Sequence, residues 1–480
     1  SFSNLRGLIS SRELLSARGI STGDVVAILL PNGPQLAFTL LAVASHCVAA
    51  PLDTKMSSEE ISAAFHQLRP RHVIVPSQLH WSASSSNRAP DMDADKVATL
   101  QKVALEVDCK LHFVWNSQEG AAGTLQYEKL SDAMGRVHPE EQQIAQGMNE
   151  NCLLLRTSGT TSKPKVVPLT GCGLFTGAVA MGKGLDLQPE DVCLNVMPFT
   201  HIGGISCSLL ASIFAGSSVI CAASFDPAIF IQWLADLSPT WYYAAPTIHK
   251  AIALLAASSQ PLVHNLRLIR SGAANLPHKD AEELRRLFGC TVLPTYSMSE
   301  CMPIAQPPLD YRLQKTGSVG MPIGASMCIV NEAGVRLPFG QVGEVCLHGP
   351  VVTKGYIDND SANDKAFFFF LPAEDGVPWF RTGDLGYLDT DGFLFLTGRS
   401  KELIKRGGDQ VSPYEVEEVL GGHPSVEVAL VFGVANDFWG EEVAAVVITK
   451  SGQTTLADDG TASVQLQQHV AQHLPEQKVP

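Results

Sequence analysis

At 480 residues the chain exceeds a single typical domain, so two or more are expected. Its 45% hydrophobic and 17% charged residues make an ordinary globular composition with ample core. A formal charge of −14 excludes a general nucleic-acid or anionic-membrane surface, so an anionic ligand must be held by a local site.

In chain order, Val25–Leu30 is a short apolar run that Pro31-Asn32-Gly33-Pro34 stops. Leu36–Ala50 reads as a buried helix, and HVIV within Pro70–Pro76 as a strand. Ser82–Asp95 and Glu119–Thr124 are polar breaks. Further strands are expected at Val192–Val196, Ser218–Ala222, Trp241–Ala244, Leu266–Ile269 and Thr291–Leu293, with helical patterns between most of them. This alternation argues for an α/β fold with mostly parallel sheets. From about Gly317, short strands and Gly turns predict β-hairpins and a small β subdomain. After Arg399 a compact segment follows, with VEEVLGGHP as helix and VEVALVFGV as strand. Phe367–Phe370 reads as a packing cluster.

The 11 cysteines form no C-x-x-C pair and no zinc-like Cys/His spacing, so free thiols in a reducing compartment are expected. No run of eighteen apolar residues predicts a membrane span, and no signal peptide is visible. The chain opens on Ser and reads as a fragment or a processed product.

Leu155–Thr170, LRTSGTTSKPKVVPLT, carries the strongest chemical signal. Thr157, Ser158, Gly159, Thr160 and Thr161 supply hydroxyl and backbone donors on a tight turn, and Lys163 and Lys165 add charge, which suits nucleotide phosphates. It is not a P-loop, because G-x-x-x-x-G-K-[ST] is missing. Tyr296-Ser297-Met298-Ser299-Glu300 follows the strand TVLPT. There Glu300 could hold Mg²⁺ and Tyr296 could stack on a purine, although a helix start capped by Ser299 reads equally from the residues. Asp384 on the Thr382-Gly383 turn could take a ribose diol, or be a plain turn Asp. Gly398–Gly408 packs four cations and three glycines, with Arg399 suited to phosphate or ribose, and also reads as a basic surface turn. His201 in MPFTHIGGI is either functional or a core histidine.

The ordered set TSGTT-x-x-PK, PFTHIGG, RSGAANL, TYSMSE, TGD and GRSKELIKRGG resembles the adenylate-forming acyl-CoA synthetases, nearest the 4-coumarate–CoA ligase-like and oxalate–CoA ligase branches. The resemblance implies a large N-terminal domain over residues 1–398, built of parallel-type sheets with helices and a small β subdomain. A small, mobile and truncated α+β domain over residues 399–480 would follow. It implies a ligase using ATP, Mg²⁺ and coenzyme A, which makes an acyl-adenylate and pyrophosphate, then an acyl thioester and AMP. Two alternatives stay open: an adenylation domain loading a carrier protein's phosphopantetheine, and a non-catalytic nucleotide-binding relative.

By resemblance, Thr157–Thr161 and Lys165 hold the β- and γ-phosphates, and Gly272, Ala273 and Ala274 border adenine and the acyl group. Tyr296 stacks on adenine, Ser299 touches the α-phosphate and Glu300 binds Mg²⁺. Asp384 takes the ribose hydroxyls and Arg399 contacts ribose or phosphate. Lys401 is the hinge, Lys405 and Gln410 reach AMP or the thiol channel, and His201 gates the acyl pocket.

The chain departs from the pattern in places. Val166 replaces a Gly of the phosphate loop, which predicts a stiffer loop. Gly203 and Pro303 stand where the oxalate branch has His, and Gly203, Gly204, Ala273 and Ala274 predict a roomier, more apolar pocket for medium-sized aromatic or aliphatic acids. No Asp near Thr200–His201 is placed for an α-amine, so an α-amino acid is not expected. The family's catalytic Lys lies beyond Pro480, so poor adenylation by the 480-residue chain is expected. A cytoplasmic location is expected, and a peroxisomal address cannot be read.

Overall fold

The computed structural model describes residues 15–76, 94–116, 125–127, 147–157, 164–259, 261–370, 378–450 and 461–480. The chain divides into two compact units. One is Ser1–Ala273 with Ser297–Ile304 and Pro350–Asn363, and the other is Ala274–Tyr296 with Ala305–Gly349 and Asp364–Pro480.

In the first unit, Val25–Ile28 is a central strand of a seven-stranded sheet. Val48–Pro51 and His72–Pro76 pair with it in parallel on either side. Lys110–Asn116 continues the sheet beside His72–Pro76, and Asn151–Arg156 beside Val48–Pro51, both in parallel. Only the outermost pairs are antiparallel: Leu125–Tyr127 on Lys110–Asn116, and Val166–Thr170 on Asn151–Arg156. Because helices cover parallel strands, the central ones are apolar on both faces. Ile61, Phe65, Leu100 and Val103 pack with Ala27, Leu29, Val73 and Val75 in one core. The helix Ser58–Leu68 begins on a capping box of Ser57 and Glu60, which satisfies two otherwise orphan donors.

The helix expected over Leu36–Ala50 stops early. It runs Pro34–Ala44, and Val48–Pro51 is strand. The Ser45 hydroxyl donates to the Leu41 carbonyl at 2.7 Å, and the Cys47 N–H to Val43 at 2.7 Å, which turns the chain. Periodicity cannot split a continuous apolar run, and here the split comes from pairing of Val48–Pro51 with Val25–Ile28.

Four further parallel strands of this unit lie in the order Leu268–Ser271, Trp241–Ala244, Val192–Asn195, Ser218–Cys221. The first begins two residues later than expected. Between the second pair, Gly203–Leu210 forms a π-helical segment for which the sequence offers no pattern.

In the second unit an antiparallel sheet runs Ser318–Pro322, Leu394–Arg399, Trp379–Leu388, Gly343–His348, Ser326–Val330. Phe367–Phe368 pairs with Trp379–Leu388, and the rings of Phe367, Phe368 and Phe370 pack with Phe380 and Trp379, while Phe369 is exposed. A smaller antiparallel sheet follows, in the order Asp409–Val411, Ile404–Arg406, Gly440–Thr449, Val426–Asn436. Its first hairpin turns on Gly407-Gly408, at φ 59° and 96°, the left-handed pair that a two-residue turn requires. The helix Pro413–Gly422 covers it with Val416 and Leu420.

Candidate active site

Two of the signature segments lie in the second unit. The strands Trp379–Leu388 and Leu394–Arg399 set Asp384 directly opposite Arg399. Arg399 Nε reaches Asp384 Oδ1 at 3.0 Å, and the Tyr296 hydroxyl donates to Asp384 Oδ2. Asp384 is 5% exposed. Burial pushes its carboxyl above the usual range, against the pull of Tyr296 and Arg399. Burial and the Asp384 charge push Tyr296 far up, so it stays a donor. Asp384 lies within a strand rather than on a simple turn: Gly383 takes φ 77°, and the Asp384 N–H donates to Thr382 Oγ1 at 3.0 Å. Beyond Arg399, Lys401 is exposed on a turn, and Lys405 and Gln410 are exposed register partners in the small sheet. The Lys405 N–H donates to Glu441 Oε2 at 2.6 Å. Lys478 is held by Glu415 at 2.6 Å.

In the first unit, the hairpin of Asn151–Arg156 and Val166–Thr170 brackets the hydroxyl-rich loop. Ser158, Gly159, Thr160 and Thr161 lie outside the described residues. The base of the loop is closed by Thr157 N–H to the Lys165 carbonyl at 2.9 Å, and by Lys165 N–H to Thr157 Oγ1 at 3.3 Å. Gln67 donates to the Pro164 carbonyl at 2.6 Å. Val166 is 1% exposed within the core, and its carbonyl accepts from Ile357 N–H at 3.1 Å.

Glu300 sits on a turn between Tyr296–Met298 and Cys301–Gln306, so the helix start with a Ser299 cap is not formed. The Tyr356 hydroxyl donates to Glu300 Oε1 at 2.8 Å, and Lys165 Nζ stands 4.1 Å from the centre of the Tyr356 ring. Ser299 is half-buried beside Glu300. Gly272 is buried past the end of Leu268–Ser271, and Ala273 takes φ 68°, a strained angle for a residue with a Cβ. Solvent reaches His201, while packing round its ring lowers its pKa and Asp53 opposes that.

Residues 11–357 match the AMP-binding enzyme family, and residues 415–480 match the AMP-binding enzyme C-terminal domain. The chain belongs to the AMP-binding enzyme family. It is similar to an oxalate–CoA ligase of Arabidopsis thaliana, at 35% identity over 94% of this chain and 83% of that protein. It is likewise 35% identical to a probable CoA ligase, CCL9, of Humulus lupulus, over 93% of this chain and 81% of that one. Among solved structures, O-succinylbenzoate coenzyme A synthetase (MenE) from Bacillus subtilis, in complex with ATP and magnesium ion, superposes with a TM-score of 0.77 at 25% identity. That likeness covers 100% of this chain and 89% of the other. This AMP-binding enzyme is an ATP-dependent acid–CoA ligase of α/β fold that uses Mg²⁺ and coenzyme A.

The donor set fits a magnesium ion. Among the described residues no three His, Cys, Asp or Glu converge, and Mg²⁺ is commonly held by one or two carboxylates plus phosphates and water. Glu300 Oε1 accepts the hydrogen bond of the Tyr356 hydroxyl, and Oε2 is the oxygen that could face a cation.

The structure also brings in residues that motif reading passed over. Tyr356 is one. Arg270 is another: it is 0% exposed on Leu268–Ser271, donates to Cys207 Sγ at 3.4 Å and lies 5.1 Å from the Tyr243 ring centre. A cation inside the apolar pattern LRLIRS was the available signal. The extra room expected at Gly203 and Gly204 is not found at those two positions. A methyl group on Gly203 would strike the Tyr243 ring, and one on Gly204 the Pro198 carbonyl, so their space is already filled. Ser206 and Ser208 are buried on the same segment as Ile205, Cys207, Leu209 and Leu210. Burial pushes Tyr243 up to about 12, with Arg270 and a bond to Ser297 opposing. All 11 cysteines are free. Among the described residues no helix is long and apolar enough to cross a membrane.

Proposed function

We propose that the ligase activates a short acid carrying a second polar or anionic group, with the residue roles that the family resemblance implies. The observation that carries the nucleotide half is Asp384, a buried carboxylate with one oxygen on Tyr296 and the other on Arg399. It can exchange these partners for a ribose diol. Thr157 and Lys165 hold the β- and γ-phosphates, Ser299 the α-phosphate, and Glu300 the magnesium ion. When bound, that ion supplies charge neutralisation on the phosphate oxygens. A carboxylate oxygen of the acid attacks the α-phosphorus and pyrophosphate leaves. The thiol sulfur then attacks the acyl carbon and AMP leaves. His201 gates the acid, while Lys405 and Gln410 serve AMP or the thiol channel. Lys401 is the hinge for residues 399–480.

The acid class is supported by the filled space at Gly203 and Gly204 and by the buried guanidinium of Arg270. The Arabidopsis relative is named for oxalate, a dianion. Here Gly203 and Pro303 replace two histidines of that branch, so a somewhat different short acid is favoured over oxalate itself. The free thiols support a reducing, cytoplasmic setting. Coenzyme A is the acceptor in this reading.

ATP-dependent pyrophosphate release across oxalate, other short diacids, fatty acids and hydroxycinnamates tests it. Release confined to short polar acids is the expected result, and release with long fatty acids alone would overturn the acid class. Running the second half-reaction with coenzyme A and with a phosphopantetheinylated carrier separates the two acceptors.

A further inference from the structure

We propose that Tyr356 is a positioning residue for adenylation, one side chain that orients the magnesium carboxylate through its hydroxyl and the phosphate lysine through its ring. The inference rests on the roles proposed above for Glu300 and Lys165.

The geometry is specific. The hydroxyl donates to Glu300 Oε1 at 2.8 Å, and Lys165 Nζ lies 4.1 Å from the ring centre. A hydrogen bond at one oxygen restricts how the carboxylate turns and so narrows the directions its other oxygen can face. An ammonium over a phenol ring is attracted without being neutralised, so it keeps its positive charge beside the loop.

Tyr356 is itself held rigidly. It is 6% exposed, its N–H donates to Asn363 Oδ1 at 2.7 Å, and its carbonyl accepts from Asn363 Nδ2 at 3.0 Å. The segment carrying it is stitched to both elements it serves. Thr353 N–H donates to the Glu300 carbonyl at 2.7 Å, and Val352 bridges to Cys301. Thr353 Oγ1 donates to the Pro168 carbonyl at 2.8 Å, and Ile357 N–H to the Val166 carbonyl at 3.1 Å. The hairpin of the phosphate loop and the Glu300 turn therefore share one brace, and Tyr356 is where it touches both charged side chains.

The test is Mn²⁺ titration, read by electron paramagnetic resonance of the free ion, on protein holding β,γ-methylene-ATP. Tyr356→Phe keeps the ring and removes the hydroxyl. It should weaken Mn²⁺ about five- to tenfold while leaving metal-free nucleotide binding within about twofold of the parent. Tyr356→Leu should weaken Mn²⁺ equally and, in addition, weaken metal-free nucleotide binding about threefold. Glu300→Gln is the control for the underlying reading. If it leaves Mn²⁺ affinity unchanged, Glu300 does not hold the cation and that reading fails. If Glu300→Gln weakens Mn²⁺ but Tyr356→Phe matches the parent, the positioning role alone is overturned. Should Tyr356→Leu not fold, the Tyr356→Phe titration still decides.

Discussion

Asp384 illustrates how much chemistry one carboxylate concentrates. Its partners are a phenol across the fold of the second unit and a guanidinium opposite it on the neighbouring strand. Replacing it with Asn removes the charge that Arg399 balances and halves its accepting capacity. Asp384→Asn should lower kcat/KM for ATP about ten- to a hundredfold in ATP–pyrophosphate exchange, mostly through KM. An unchanged KM would show that ribose is held elsewhere. His249 makes a different point. It is buried, 3.1 Å from the Tyr242 hydroxyl, and burial lowers its pKa to about 3. Because the folded value lies below the unfolded one, its stabilising contribution is full above about pH 6.5 and is lost as pH falls toward the folded value. Between pH 7 and 5 this amounts to about 2 kcal/mol. Urea midpoints followed by tryptophan fluorescence should therefore fall on acidification, and His249→Phe should lose that much less over the same interval. Equal slopes for the two proteins would refute the assignment.

At the scale of elements, the strands Val192–Asn195, Ser218–Cys221 and Trp241–Ala244 were legible because each is a short apolar run between helical patterns. The π-helical segment Gly203–Leu210 was not, since its apolar pattern fits an ordinary helix or strand. Its geometry depends on contacts that no local pattern encodes. Gly204 leaves room for the Pro198 carbonyl, whose oxygen also accepts from His201 N–H at 3.1 Å. Gly204→Ala should therefore destabilise the fold by about 1–3 kcal/mol, seen as a lowered denaturation midpoint, and should disturb the adjoining His201. A midpoint unchanged from the parent would mean that the segment can relax at no cost. The helix that ends at Ala44 failed for a related reason: a strand of VAAP has no polar alternation once both of its faces are buried.

For the whole molecule, the proposed function has the segment after Arg399 change its contacts between half-reactions; there Lys401 is exposed on a turn, and Lys405 and Gln410 are exposed on the small sheet. Stiffening the turn tests the hinge. Lys401→Pro should retain most pyrophosphate release while slowing thioester formation tenfold or more, on the order of a lost conformational step. Equal loss of both half-reactions would argue against a hinge there.

The ordered motifs were legible as a resemblance to adenylate-forming acyl-CoA synthetases, and the alternation of apolar runs and helices as an α/β class. Those features are local or strictly ordered along the chain, so one dimension records them. Tertiary packing, by contrast, fills the space at Gly203 and Gly204, buries Arg270 beside Tyr243, and sets Tyr356 between Glu300 and Lys165. These contacts join residues from 6 positions apart, Gly204 and Pro198, to 191 apart, Lys165 and Tyr356, and they are set by packing that no local pattern records.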